Sequence, residues 1–152
     1  MVILIREVVS LIRKILITLF ISSLIHTPYT FAETTKQIEI FDIEKGAVIK
    51  TVPPNPIFQT EAAKILKNIK GIYKKVNPIP KKGLMVKIPL NPMISVQNQW
   101  LHTLVDEIII FFPEDEDPYI MTFDDENNYY FFTINNPKST SEFILRTLSL
   151  SQ

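Results

Sequence analysis

The 152-residue chain contains no cysteine. That one absence removes disulfides, thiolate metal sites, cysteine nucleophiles and lipid attachment through a cysteine. Small exported domains often depend on disulfides, so any exported domain here must rest on its core alone. Histidine is almost as scarce, with only His26 and His102. The three glycines, Gly46, Gly71 and Gly83, are too few for a phosphate-cradling loop, and no serine stands in a nucleophile-elbow context. Long apolar runs are missing too. A helix that spans a bilayer needs about 20 mostly apolar residues, whereas the uninterrupted run at residues 15–25 (ILITLFISSLI) has 11.

What is present begins with the surroundings of that run. Arg6, Arg13 and Lys14 precede it, and His26-Thr-Pro-Tyr-Thr-Phe-Ala32 ends it with small residues at Thr30 and Ala32. A positive leader, an apolar core and a small-residue end are the order of a secretory signal peptide. The expectation is cleavage near Ala32 and a protein that is secreted or associated with the cell wall. The alternative is an uncleaved N-terminal membrane anchor, although extending the run toward the N-terminus meets Arg13-Lys14 and then Arg6-Glu7.

Residues 33–152 suit a single domain with one apolar core. Removing three bases and one acid from totals of 16 and 16 leaves a net charge of about −2, which argues against a dedicated nucleic-acid binder. The charges are divided along the chain. Residues 45–87 carry ten lysines and one acid, Glu61, while residues 106–126 carry nine acids and no base. Such a division can orient a protein on a charged surface, or let the two halves attract each other.

Along the domain, residues 38–43 (IEIFDI) alternate as a half-buried strand does, Glu44-Lys-Gly46 reads as a turn, and residues 47–52 form the return strand of a hairpin. Asn55-Pro56 reads as a helix cap with proline in the first turn. Phe58, Ala62, Ile65, Leu66, Ile69, Ile72, Tyr73 and Val76 then recur at spacings of three and four, on an arc of roughly 120°. This predicts one long amphipathic helix, stopped by Asn77-Pro-Ile-Pro80, with Lys64, Lys67, Lys70, Lys74 and Lys75 on its opposite face. A third strand at 84–88 is expected to close at Pro89. Residues 94–96 read as extended, and 99–104 as a short helix burying Trp100, Leu101 and Leu104. Residues 107–112, 119–123 and 129–134 read as an antiparallel meander separated by acidic turns. Ser139-Thr-Ser-Glu142 matches a capping box for a terminal helix over 143–150. The fold class expected is α+β, an antiparallel sheet (hairpin plus three-strand meander) covered by one long amphipathic helix.

Chemistry-bearing residues are few. Once the leader is removed, His102 is the sole histidine, so a multi-histidine zinc site is impossible. Asp106 lies four residues later, on the same face of a short helix, and could orient His102 as a general base. A small exported hydrolase is therefore the runner-up reading. Glu114-Asp-Glu-Asp117 and Asp124-Asp-Glu126 resemble hard-cation ligands, but successive meander turns lie at opposite sheet ends, roughly 17–20 Å apart. No metal or cofactor is expected. The five lysines of the predicted helix are the binding candidates, facing an anionic wall polymer or membrane surface. The unalternating runs Tyr129-Tyr-Phe-Phe132 and Ile108-Ile-Ile-Phe-Phe112 imply a sheet covered on both faces, or one whose second face docks a partner.

Phe41-Asp-Ile-Glu-Lys-Gly46, Asn77-Pro-Ile-Pro-Lys-Lys-Gly83 through Ile88-Pro-Leu90, and Val105-Asp-Glu-Ile-Ile-Ile-Phe-Phe-Pro113 resemble small exported proteins of unknown function from Bacillus-type Gram-positive bacteria. The resemblance implies export and no particular activity. The combined expectation is an exported non-enzymatic domain that associates with the cell envelope or an extracellular partner. A protein-interaction or inhibitor module is a further alternative, and the oligomeric state is left open.

Overall fold

A computed structural model describes residues 2–24 and 36–149. The chain falls into two compact units, Met1–Thr34 and Thr35–Gln152. The first contains helix α1, Val2–Leu24. Val8, Val9, Leu11, Ile12, Ile15, Leu16 and Ile17 each leave half or more of their surface accessible, so residues 6–17 of this helix present no buried apolar stripe. Arg6, Glu7, Arg13 and Lys14 interrupt its apolar character, and among the described residues no helix is long and apolar enough to cross a membrane. The expected cleavage position near Ala32 lies outside the described residues.

The second unit is a seven-stranded antiparallel sheet with two helices on one face. Its strands are β1 (Ile38–Asp42), β2 (Ala47–Val52), β3 (Ile69–Ile72), β4 (Gly83–Gln97), β5 (His102–Pro113), β6 (Tyr119–Phe123) and β7 (Tyr129–Ile134), in the order β2-β1-β4-β5-β6-β7-β3. The helices are α2 (Pro56–Lys67) and α3 (Pro137–Thr147). Ile38 and Ile40, Val86 and Ile88, Ile108 and Ile110, Ile120, and Phe132 and Ile134 bury themselves against Phe58, Ala62, Ile65 and Leu66 of α2 and Ile144 of α3. The β1–β2 hairpin turns through Gly46 at φ 63°, with Asp42 accepting from the Lys45 amide at 3.0 Å.

This corrects the expected architecture. A single long helix over a hairpin and a three-strand meander is not what the chain forms. The helix does start at the Asn55 cap, whose side chain accepts from the Ile57 amide at 2.7 Å. It ends after 12 residues. Asn68 is the reason. Its amide side chain donates to the Lys64 carbonyl at 2.8 Å, and its own carbonyl accepts from the backbone and side chain of Asn135 at 3.2 and 3.1 Å. The following Ile-Lys-Gly-Ile has weak helix propensity, and it pairs with the otherwise open edge of β7 through Ile69 opposite Ile134 and Ile72 opposite Phe132. The strand hydrogen bonds outweigh a continued helical spacing.

The stretch around residues 89–104 also differs from expectation. Pro89 does not end β4: it still lies opposite Glu107, and after a register shift the ladder resumes with Ile94 opposite Val105. Within and beyond that irregularity the chain reaches α2, where Gln59 donates to the Pro92 carbonyl at 2.8 Å and Asn98 donates to the Leu66 carbonyl at 3.1 Å. No helix forms at 99–104. Asn98 caps a tight turn by accepting from the amides of Trp100 and Leu101. Leu101 is buried, whereas Trp100 and Leu104 are exposed. At the C-terminus α3 begins two residues before the expected capping box, at Pro137, preceded by Asn136 at φ 52°. Ser139 therefore lies within the helix.

Candidate functional site

Side chains alternate across a strand, so the residues between the buried isoleucines face the other side of the sheet. There the register sets Phe41 opposite Met85, Met85 opposite Phe111, and Phe111 opposite Tyr119. A second row runs Lys87, Ile109, Met121, Phe131, and a third pairs Phe123 with Tyr129. Neither α2 nor α3 covers this face. Its cover is the irregular segment at residues 73–82.

An aromatic stack holds that segment in place. The Tyr119 ring lies between Tyr73, at 4.0 Å and 15°, and Phe111, at 5.0 Å and 9°. The Tyr119 hydroxyl donates to the Pro78 carbonyl, and the Tyr73 hydroxyl donates to Glu116 at 2.9 Å. Lys75 meets the same Glu116 at 2.8 Å and passes 5.9 Å above the Tyr73 ring. Burial pushes the Tyr119 phenol far above its ordinary value. Burial and the Glu116 bond raise Tyr73, and Glu116 raises Lys75.

Beside the stack the segment stands away from the sheet and leaves a cleft of about 590 Å³. Its walls are Asn77, Pro78, Ile79 and Lys81 on one side and Met121, Phe123, Tyr129 and Phe131 on the other. Tyr129 is 66% exposed, with its ring edge-on to Phe131 at 6.0 Å and 80°. Lys81 is the only charged residue in the lining, and no carboxylate pairs with it among the described residues. The expected alternative of a sheet face that docks a partner concerns the face on which Met121, Phe123, Tyr129 and Phe131 lie. The unalternating aromatic strands were its signal, but nothing local marked residues 77–81 as the second wall.

The lysines assigned to one helical face are spread over three elements. Lys64 and Lys67 lie on α2, Lys70 on β3, and Lys74 and Lys75 in the following segment. Lys64 is paired with Glu61 at 3.2 Å and Lys75 with Glu116, while Lys67, Lys70 and Lys74 are exposed and have no ion pair among the described residues. Lys75–Glu116 is the one described bridge between the lysine-rich 45–87 stretch and the acidic 106–126 stretch.

His102 and Asp106 both lie on β5, at exposed and half-buried positions. Asp106 accepts from Lys36 at 3.1 Å, and His102 lines neither of the two described cavities. The second of these, about 450 Å³, is lined by Asp42, Glu44, Glu114 and Glu116 among others. Three of those carboxylates are already engaged, by Lys45, Lys82 and Lys75. The Asp124 turn is likewise occupied with its own backbone. Asp124 accepts from the Glu126 and Asn128 amides at 2.9 and 2.8 Å and from the Tyr130 hydroxyl at 3.0 Å. No group of acids or His102 that could hold a metal ion occurs among the described residues.

Comparison with protein-family models, curated proteins and solved structures yields no match for this chain.

Proposed function

We propose that the chain is a non-enzymatic exported domain that associates with the anionic cell envelope, a wall polymer or a membrane surface, through the lysines at the α2–β3 margin. The observation that carries this reading is the exposure of Lys67, Lys70 and Lys74 within one short stretch with no ion pair among the described residues, while Lys64 and Lys75 pair with Glu61 and Glu116. Three such ammonium groups attract a polyanion over a distance set by the ionic strength, about 8–10 Å at physiological salt. The engagement of Asp106 by Lys36 weighs against the hydrolase reading, because the carboxylate meant to orient His102 is held elsewhere.

The test is retention of purified protein on isolated cell wall and on anionic vesicles across a salt series. Binding should fall steeply with salt and should be lost in a Lys67→Glu/Lys70→Glu/Lys74→Glu variant. Retention indifferent to both changes overturns the reading. A second reading, a protein-interaction or inhibitor module, is favoured by β2. This outer strand of the sheet is exposed at residues 47–51 and, among the described residues, pairs on one edge only, which suits strand addition on the other. Crosslinking in intact expressing cells would reveal a partner at that edge.

A further inference from the structure

We propose that the cleft between residues 77–81 and the β6–β7 face binds a single-chain anionic amphiphile of the fatty-carboxylate class, with its tail on Met121, Phe123 and Phe131 and its head at Lys81. This site is separate from the α2–β3 lysines, and its existence does not depend on envelope association. Three observations carry it.

The first is size. At about 590 Å³ the cleft falls within the roughly 300–1,000 Å³ range of small-molecule sites. The second is wall chemistry. Pro78, Ile79, Met121, Phe123 and Phe131, five of the eight lining residues, offer only alkyl and aryl surface, against the Asn77 amide and the Tyr129 hydroxyl as neutral polar groups, and this balance suits a hydrocarbon chain. The third is charge. Lys81 is the sole ionic group of the lining and has no carboxylate partner among the described residues, so the cleft is complementary to one negative charge. The wall is also anchored. Tyr119 holds the Pro78 carbonyl, and Glu116 holds both Tyr73 and Lys75, so the segment is placed before any ligand arrives.

The methionines provide the readout. In the full chain labelled with [13C-methyl]methionine, decanoate is titrated below its micelle concentration. The Met121 methyl resonance should move saturably, while that of Met93, exposed on β4 and outside the lining, should stay in place. Decanol and decyltrimethylammonium should bind at least tenfold more weakly than decanoate. Lys81→Glu, at an exposed side chain with no ion pair among the described residues, should keep the parent melting temperature, weaken decanoate at least tenfold and leave decanol unchanged. The proposal is overturned by an unmoved Met121 signal, by equal binding of the anionic and uncharged probes, or by indifference to Lys81→Glu. Movement of Met121 with protein concentration alone would also overturn it, because the face would then be occupied by a second copy of the chain. The Lys67/Lys70/Lys74 variant should bind decanoate normally, which separates failure here from failure of the envelope reading.

Discussion

The Tyr119 ring lies face to face with the Tyr73 ring at 4.0 Å, and the two hydroxyls hold different parts of the molecule, the Pro78 carbonyl and the Glu116 carboxylate. Residues 46 positions apart in the chain thus fasten an irregular segment to a sheet face that no helix covers. Removing one hydroxyl tests this directly. Tyr119→Phe keeps the stack and leaves the Pro78 carbonyl without its donor, at a cost of about 1 kcal/mol in urea unfolding. Tyr119→Ala also removes the buried ring, and about 3–5 kcal/mol is expected. In both variants the Tyr73 amide, bonded to the Phe131 carbonyl at 2.9 Å, should exchange with solvent faster than in the parent.

The same pair sets an alkaline limit. Both phenols are raised above the ordinary value of 10.0 in the folded chain, Tyr119 by burial and Tyr73 by burial and then Glu116. A raised folded value means the folded state holds its proton longer than the unfolded state. The contribution is therefore complete below about pH 10 and is lost as pH rises above it. Denaturation midpoints measured from pH 8 to pH 11.5 should decline at the alkaline end, and less steeply in Tyr119→Phe. An equal decline in parent and variant would show that Tyr119 is not responsible.

An acidic counterpart is expected at the β6–β7 turn. Hydrogen bonding from Asn128 holds the Asp124 carboxyl below its ordinary 3.8. A lowered folded value stabilises above the unfolded value and is lost as pH falls through the folded one. Amide exchange at Asn128, read by NMR from pH 6 down to pH 2.5, should lose protection below about pH 4. Asp124→Ala should show the unprotected behaviour at every pH.

Two glycines should respond in opposite ways to alanine. A side chain at Gly83, where φ is +115°, runs into the Phe112 carbonyl oxygen. Gly83→Ala should destabilise by about 1–3 kcal/mol through backbone strain alone, with more added by the clash. At Gly71 a new methyl carbon meets Thr133 and the Trp100 ring at 3.8 Å, an ordinary contact. Gly71→Ala should change stability by no more than about 0.5 kcal/mol. Paired thermal melts distinguish the two.

The end of α2 can be probed at Asn68. Asn68→Ala removes the donor to the Lys64 carbonyl and should cost about 0.5–1.5 kcal/mol. Far-ultraviolet circular dichroism should not gain helix, because Ile69–Ile72 stays committed to β7.

Several elements were legible from local pattern. The alternation of Ile38, Ile40 and their neighbours, Gly46 in the turn, and Asn55-Pro56 at the start of α2 gave the hairpin and the helix start. The strands at 119–123 and 129–134 were readable from their aromatic and β-branched content. Such features depend on a residue's own conformational preferences and on neighbours a few positions away, so they are written in adjacent residues. The candidate site was legible only in part. The aromatic excess of β5 to β7 showed that two faces needed accounting for, but the wall at Asn77 to Lys81 is brought in by Tyr119 and Glu116, some 40 positions distant.

By itself, the sequence determined the chemical inventory, which has no cysteine, a single histidine beyond residue 32, and a lysine-rich and an acid-rich half. It also determined the short-range elements. Only the tertiary structure decided what became of residues 69–76 and 89–104. The spacing over 69–76 suited a continued helix and that over 99–104 a short one, yet the first stretch lay beside the open edge of β7 and the turn before the second bonded to α2. Unpaired backbone groups at a sheet edge favour strand pairing, and that preference depends on partners such as Ile134, Phe132 and Leu66 that no local window contains. The same long-range pairing dissolved the expected lysine helix face and left an aromatic cleft with a single cation, Lys81, in its lining.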